Sequence, residues 1–281
     1  MDNRQQIEDW NGVLGQTWAE RQDEIERIVE RLGTLALDAA DARPGERVLD
    51  VGCGGGTTTF ALARQVGPTG RVLGVDVSQP LLAVARRRVA ADPLPQLSFV
   101  EGDAAHAALP DGLDLLFSRF GVMFFADPVA ALAHLRASLR PGGRVLFLCW
   151  RTPRDNPWAM TPLLAARAAL GVEPPETDPD APGPFAFADE ARVRRILQDA
   201  GYAEATLTRT DVPLVLGVSL GEAARASVRV GPTSRLLREA GAAHEPRVLA
   251  AIESALAPHA GSDGAVRLSA SAWMVRARNP A

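Results

Sequence analysis

Short apolar runs alternate with longer amphipathic stretches between residues 45 and 150 of this chain. The short runs are rich in β-branched residues, which favour strands, and the stretches between them carry apolar residues at helical spacing. The sequence therefore predicts five strands, at 47–51, 71–76, 97–100, 113–118 and 144–150. Strands that alternate with helices are typical of βαβ units, so we expect an α/β fold with a Rossmann-like, doubly wound and mostly parallel sheet.

The helical stretches of this core carry start and stop signals. Ser78 and Asp127 precede the second and third stretches, where their side chains can accept from the free N–H groups of a first helical turn. Pro141-Gly142-Gly143 follows the third stretch. This combination predicts the end of the helix and a turn into the strand at 144.

The flanks predict a helical cap before the core and elaborations after it. Residues 1–44 contain an amphipathic helix over 20–40. Beyond residue 150 the pattern predicts a Pro-rich, acidic loop, a helix, a strand, a helical insert and a last strand that we expect to be antiparallel. These lie at 173–189, 189–200, 205–216, 219–260 and 266–278. We expect a single domain over 1–281, with a core at 45–150 and substrate-side elaborations at 151–216 and 217–265.

Composition and net charge limit the kinds of partner that we expect this chain to bind. The 281 residues are 47% hydrophobic, enough for a full core, and the formal net charge is −4. A nucleic-acid surface needs clustered positive charge, so we expect a small-molecule partner, with a homodimer as a candidate assembly. The densest basic run, at 86–88, is late in a predicted helix. It is interpreted as a solvated helix end, with a phosphate-binding patch as the alternative.

Cysteine usage and hydropathy predict the compartment. Cys53 and Cys149 are the two cysteines, too few for a disulfide framework or a cysteine zinc site. The sequence therefore predicts no metal centre and a reducing, cytoplasmic location. The first residues are polar and acidic, and no apolar run reaches the ~20 residues that span a bilayer. Neither secretion nor a membrane location is expected.

The stretch VLDVGCGGG at 48–56 carries the clearest chemical signal. Gly52, Gly54 and Gly56 have G-x-G-x-G spacing and follow Asp50, whereas a dinucleotide turn has G-x-G-x-x-G spacing. Gly55 blurs this distinction. A carboxylate beside a pyrophosphate is unfavourable, but it suits a ligand that is cationic at that point. An NAD-dependent oxidoreductase is therefore the disfavoured alternative.

LDVGCGGG resembles the D/E-x-G-x-G-x-G motif of class I S-adenosylmethionine-dependent methyltransferases, and the likeness extends over residues 45–150. It implies S-adenosylmethionine as cofactor, with Asp76 on the ribose hydroxyls, Asp103 on the adenine amino group and Asp50 near the amino end. Such a ligand needs backbone contact and carboxylates rather than a basic cluster. The resemblance implies these cofactor-binding residues: Asp50, Gly52, Cys53, Gly54, Gly56, Thr57, Asp76, Val77, Gly102, Asp103, Ala104, Ser118, Arg119 and Trp18.

Methyl transfer from a sulfonium is an in-line displacement, so alignment of the reactants and exclusion of water can supply much of the catalysis. Two catalytic candidates remain. His106, at the rim of the expected pocket, can serve as a base, with a surface-loop histidine as the alternative. Arg119 can hold an acidic group of the acceptor. The predicted acceptor contacts, for which a packed loop is the alternative at 150–158, are Phe120, Trp150, Arg151, Asn156 and Trp158.

Two further interpretations stay open. Trp10 and Trp18 flank a segment with two glycines. We expect this segment and the insert at 217–262 to cover the acceptor, with ordinary core aromatics and a rigid packing surface as alternatives. A non-catalytic chain that only binds the cofactor is the second functional alternative, and the likeness leaves an oxygen, nitrogen or carbon acceptor equally open.

Overall fold

The computed structural model describes residues 3–176, 178–229 and 231–280. Within these ranges, seven strands form one sheet in the order β3-β2-β1-β4-β5-β7-β6. The strands are β1 (Arg47–Val51), β2 (Arg71–Asp76), β3 (Leu97–Glu101), β4 (Leu113–Arg119), β5 (Leu139–Trp150), β6 (Ala203–Gly217) and β7 (Val266–Arg278). The first five are parallel, and β7 is antiparallel to both of its neighbours. The predicted doubly wound sheet with an antiparallel last strand is confirmed.

Helices cover both faces of this sheet, and for that reason the central strands are apolar on both faces. They are α1 (Arg4–Asn11), α2 (Val13–Glu20), α3 (Gln22–Ala40), α4 (Thr57–Val66), α5 (Gln79–Ala91), α6 (Pro128–Ala137), α7 (Pro157–Leu170), α8 (Glu190–Asp199), α9 (Leu220–Arg229), α10 (Pro232–Ala240) and α11 (Glu245–Leu256). Ser78 and Asp127 accept from the N–H groups of Leu81 and Ala130, so both predicted N-caps are confirmed.

The prediction for residues 141–143 was wrong. Helix α6 ends at Ala137, and β5 already begins at Leu139, so the Pro-Gly-Gly segment lies inside the strand. Leu113 pairs with Leu139 but Leu115 pairs with Arg144, so the intervening residues of β5 stand out as a bulge. Gly142 has a φ of +73°, which glycine adopts without strain. A bulge accommodates the missing N–H of proline as well as a turn does.

The elements beyond the parallel core follow the predicted order except for α7, which the sequence analysis did not predict. Residues 173–176 and 178–189 form neither helix nor strand, as expected for the acidic loop. The insert between β6 and β7 consists of α9, α10 and α11, which pack against α7. Five residues that these predictions included lie outside the described residues: Met1, Asp2, Thr177, Val230 and Ala281. None of the described helices is both long and apolar enough to cross a membrane.

Candidate active site

A glycine-rich turn follows β1, beside the ends of β2 and β4. This is the point where the strand order reverses, and open α/β sheets bind ligands there. Gly52, Gly54 and Gly56 all have positive φ, at +67°, +54° and +83°. A Cβ on Gly52 would lie 2.8 Å from the Gly121 Cα, and one on Gly56 would lie 2.7 Å from the Phe99 ring. The first and third glycines are therefore required by packing.

Gly54 differs from its neighbours in the turn. Outside residues 53–55, the nearest described atom to a Cβ built on Gly54 is Leu81 Cδ1, at 3.9 Å. Its amide N–H donates to Asp76 Oδ2 at 2.7 Å. The backbone of Gly54 is thus open on the side that a Cβ would fill. Its N–H is held by the Asp76 carboxylate at the end of β2. This open face is suited to close contact with a ligand.

Asp76 is held by two backbone donors. Besides Gly54, the N–H of Ser78 donates to its Oδ1 at 2.8 Å. Burial raises the pKa of Asp76, whereas the N–H groups of Ser78, Gly54 and Val77 lower it. Each carboxylate oxygen has two lone pairs, so both can accept a further hydrogen bond from a ligand hydroxyl.

Asp50 is fully buried at the end of β1. Its Oδ2 accepts from the hydroxyls of Thr58 and Thr59, both at 2.8 Å. Its Oδ1 has no hydrogen-bond partner among the described residues. Burial raises the pKa of Asp50 to about 6, although the two threonine hydroxyls and the charge of Arg119 lower it. Buried polar atoms are normally hydrogen-bonded, so Oδ1 suits a donor group of a ligand.

The pKa of Asp50 predicts a distinctive pH dependence for Asp50→Asn. Because the folded-state pKa of about 6 lies above the ordinary value of 3.8, the folded state binds the proton more tightly. Asp50 therefore destabilises the wild type progressively as pH rises through this interval. We expect the unfolding free energy of the variant, relative to wild type, to rise by about 2 kcal/mol between pH 4 and 7. Urea denaturation across this range measures the difference.

Asp114→Asn is the control for this pH series. The pKa of Asp114 is lowered, because the Arg47 N–H and the Arg140 side chain offset the effect of burial. Asp114 thus adds stability that is lost as pH falls, so its variant should show a change of opposite sign at the acid end. A difference for Asp50→Asn that stays flat from pH 4 to 7 would contradict the raised pKa.

Asp103 follows the end of β3, and the N-terminal segment contacts it through Asn3. The N–H of Gly102 donates to the Asp76 carbonyl at 2.9 Å. Asp103 Oδ1 accepts from the Ala105 N–H and from the Asn3 side-chain amide, both at 3.0 Å, while Ala104 is buried beside it. Sequence reasoning missed Asn3, because a lone polar residue 100 positions away gives no local signal.

The rest of the N-terminal segment lies over the end of β2. The Asn11 amide donates to the Val77 carbonyl at 2.8 Å, and the Ser78 hydroxyl donates to the Trp10 carbonyl at 2.8 Å. Trp10 contacts Trp18 edge to face, with ring centroids 5.4 Å apart. This segment therefore borders the Asp76 side, whereas the insert packs on α7. The joint cover over an acceptor stays a prediction.

Three aromatic side chains, those of Phe120, Trp150 and Trp158, form an aromatic row that begins where β4 ends. Phe120 has a φ of +65°, an uncommon conformation for a bulky residue. Its ring stacks on Trp150 with centroids 4.1 Å apart and an interplanar angle of 10°, and Trp150 packs on Trp158 at 4.9 Å. Beyond Trp158 lies a small pocket under the insert, lined without any charged side chain by Ile28, Trp158, Ala159, Pro162, Leu216, Ala226, Ser227 and Thr233.

Asn156 and Arg151 have structural partners. Asn156 is fully buried, and its Nδ2 contacts the carbonyls of Arg151, Thr152 and Ser271 at 3.0 to 3.2 Å. Its Oδ1 accepts from the Trp158 indole at 3.0 Å and thereby orients that ring. The Arg151 guanidinium lies over the Trp273 ring at 4.5 Å. These contacts match the packed-loop alternative, and an acceptor contact of either residue stays a prediction.

Several predicted residues support the turn. The Ser118 hydroxyl donates to the Val51 carbonyl at 2.7 Å. Cys53 is buried, and burial raises the pKa of its thiol well above the usual value. Arg88 donates to the Thr57 hydroxyl and to the Gly55 carbonyl, both at 2.8 Å. The interpretation of residues 86–88 as a solvated helix end was therefore wrong for Arg88, because α5 runs beside the turn and brings this guanidinium against it, whereas Arg86 and Arg87 are exposed as expected.

The two catalytic candidates differ in their surroundings. His106 is exposed at the rim, and its backbone N–H donates to the Asp103 carbonyl at 2.9 Å. Arg119 ends β4, and its two terminal nitrogens bind Glu26 of α3 at 2.7 and 2.5 Å. Sequence reasoning missed Glu26, which lies 93 positions from Arg119.

Comparison with known proteins identifies the core. Residues 48–143 match the family model described as a methyltransferase domain. Nocamycin O-methyltransferase of Saccharothrix syringae is 32% identical over 186 residues, which cover 63% of this chain and 66% of that protein. The chain belongs to the class I S-adenosylmethionine-dependent methyltransferase family. The chain spans between one third and two thirds of the length of three curated relatives that it matches, namely 33%, 66% and 43%.

Solved structures agree on the methyltransferase fold. The YcgJ protein of Bacillus subtilis has a TM-score of 0.59 at 17% identity, over 90% of this chain and 99% of that one. Phosphoethanolamine N-methyltransferase 2 of Haemonchus contortus, solved with phosphomonomethylethanolamine and S-adenosylhomocysteine, has a TM-score of 0.61 at 16% identity. It covers all of this chain and is matched over 61% of its own length.

The site fits the cofactor of this methyltransferase family, S-adenosylmethionine. The open face of Gly54 and the unpartnered Oδ1 of Asp50 offer a backbone contact and an acceptor. Asp76 and Asp103 add acceptors for hydroxyl and amino donors. A pyrophosphate at this turn would face these carboxylates, which disfavours a dinucleotide.

Proposed function

We propose that this chain transfers a methyl group from S-adenosylmethionine to a small-molecule acceptor. The buried Oδ1 of Asp50, which has no partner among the described residues, carries the proposal. A buried acceptor of this kind suits the ammonium group at the amino end of the cofactor, and Gly54 is open beside it. When bound, the cofactor supplies a methyl group on a positively charged sulfur.

The carboxylates of Asp76 and Asp103 are proposed to bind different parts of the cofactor. Asp76 is fixed by the N–H groups of Gly54 and Ser78, so it can accept from ribose hydroxyls without further ordering. Asp103 can accept from an adenine amino group while Asn3 and the Ala105 N–H hold its Oδ1. Val77, Gly102 and Ala104 present backbone around these two carboxylates.

The acceptor is proposed to enter along the aromatic row. Phe120, Trp150 and Trp158 form stacked or tilted ring contacts from the end of β4 to the pocket under the insert. Flat apolar surfaces of this kind orient an organic acceptor and exclude water from the reacting atoms. The name of the nocamycin enzyme, an O-methyltransferase, supports a small-molecule acceptor. His106 at the rim is the proposed base where the acceptor must lose a proton.

Isothermal titration with S-adenosylmethionine and with NAD tests the cofactor. We expect S-adenosylmethionine to bind and NAD to give no heat above dilution. Mass spectrometry then follows S-adenosylhomocysteine release with a panel of phenols, carboxylic acids, amines and acidic carbon acids. Release that depends on an acceptor establishes catalysis. Binding without release for any acceptor would favour the non-catalytic alternative, and NAD binding would favour the oxidoreductase.

A further inference from the structure

The Arg119–Glu26 pair is a nearly buried ion pair at the edge of the glycine turn. The exposed fractions of the two side chains are 14% and 15%. The contact is bidentate, with N–O distances of 2.7 and 2.5 Å, and uses two of the five N–H donors of a guanidinium. Buried pairs of this kind cost desolvation energy and are weak evidence for stability, so stability alone does not account for the pair.

Asp50 is a second carboxylate near Arg119: it pairs with Phe117 of β4, two residues before Arg119, so both side chains leave the same face of adjacent strands. The charge of Arg119 lowers the pKa of Asp50, and Asp50 in turn raises the pKa of Arg119. The Asp50 Oδ1 nevertheless has no partner among the described residues. Two carboxylates therefore compete for one guanidinium, and Glu26 holds it.

Helix α3 keeps Glu26 in this position. The Gln22 amide donates to Glu26 Oε1 at 2.8 Å. Gln22 is itself buried against the turn, since a Cβ on Gly55 would lie 2.6 Å from its Cδ. Further along the helix, Gly33 leaves space for Arg119, whose Nη1 lies 3.1 Å from the position of a Gly33 Cβ. The first half of α3 thus borders both the turn and the guanidinium.

We propose that Glu26, steadied by Gln22, is a positioning residue that holds Arg119 away from Asp50, so that Asp50 is free for the ammonium group and Arg119 for the carboxylate of the cofactor's amino-acid end. This inference rests on the proposed function. Among the described residues, Glu26 and Asp50 are the carboxylates whose charges act on Arg119, so without the Glu26 charge Arg119 would turn to Asp50. The new pair would fill the acceptor that the ammonium group needs.

Glu26→Gln tests this with two ligands that differ at the amino-acid end. S-adenosylhomocysteine carries the ammonium and carboxylate groups, and 5′-methylthioadenosine lacks both. Titration calorimetry should show at least a tenfold weaker S-adenosylhomocysteine affinity in the variant, with methylthioadenosine affinity changed by less than twofold. Glu46→Gln is the matched control, since Glu46 binds Arg144 in the same bidentate way at the opposite end of the sheet. Neither affinity should change in the control.

Gly33→Ala is the second variant, since alanine favours helix and alters no charge. Its Cβ would require the Arg119 guanidinium to shift by a few tenths of an ångström, so S-adenosylhomocysteine binding should weaken while methylthioadenosine binding stays unchanged. An equal loss for both ligands in the two variants, no loss for either, or tighter S-adenosylhomocysteine binding would overturn the role of Glu26. If wild type binds neither ligand, the proposed function itself fails. Wild-type binding of both ligands therefore shows that a negative result in the variants concerns Glu26 and not the proposed function.

Discussion

Gly54→Val is expected to lower S-adenosylhomocysteine affinity by more than about a hundredfold, or roughly 3 kcal/mol. The position has a φ of +54°, and outside residues 53–55 no described atom lies closer than 3.9 Å to a Cβ placed there, so a valine side chain would project into the open cradle. The ligand's closest backbone contact would then be blocked by two methyl groups. Titration calorimetry measures the affinity, and urea denaturation measures the stability of the same variant.

Gly171→Val separates blocked binding from backbone strain. Gly171 ends α7 with a φ of +68°, and a Cβ there meets nothing within 4 Å among the described residues. Both variants place a β-branched residue in the left-handed region, which costs about 1–2 kcal/mol of stability. Both should therefore lose similar stability, but only Gly54→Val should lose the ligand. Retained binding in Gly54→Val would mean that the turn faces away from the cofactor.

Asp76→Ala is expected to weaken S-adenosylhomocysteine binding by well over tenfold. Hydrogen bonds to a charged group contribute about 1.5–3 kcal/mol, which corresponds to one to two decades in affinity. The substitution also leaves the N–H groups of Gly54 and Ser78 without their acceptor. We therefore expect a loss of about 1–3 kcal/mol in unfolding free energy as well, with the variant still folded.

Asp114→Ala is the control, because it should lose a similar amount of stability at a position outside the candidate site. Its carboxylate also accepts from a backbone N–H, that of Arg47 at 2.8 Å, and it binds Arg140. It lies at the start of β4, at the opposite end of the sheet from the glycine turn. The control should lose stability and retain its affinity. Comparable losses of affinity in the two variants would assign the effect of Asp76 to stability alone.

The parts of the fold that local chemistry dictates could be predicted from the sequence. Strands β1 and β2 begin and end where the apolar runs do, and Ser78 and Asp127 cap the helices that they precede. The glycine spacing predicted a tight turn after β1, and its three glycines have positive φ, because such a backbone leaves a direct trace in the sequence. Such features depend on neighbours within a few residues.

The contacts that complete the site depend on distant residues and left no such trace. Asn3 reaches Asp103, Glu26 reaches Arg119, and Arg88 reaches the Gly55 carbonyl, in each case from a segment whose packing on the sheet sets the distance. A charged residue on a helix is usually solvated, so its type alone could not distinguish Arg88 from its exposed neighbours. Helix α7 was likewise missed, because its internal Pro162 weakens the helical pattern.

The strained backbone of Phe120 links the stability of the fold to acceptor recognition. A bulky residue in this conformation costs about 1–2 kcal/mol, which glycine would relieve. The ring that glycine would remove is the one stacked on Trp150, at the start of the proposed acceptor route. Because that ring also packs against the hydrophobic core, its removal would cost more stability than the relieved strain returns, so selection for thermal tolerance and selection for turnover would both retain the aromatic side chain.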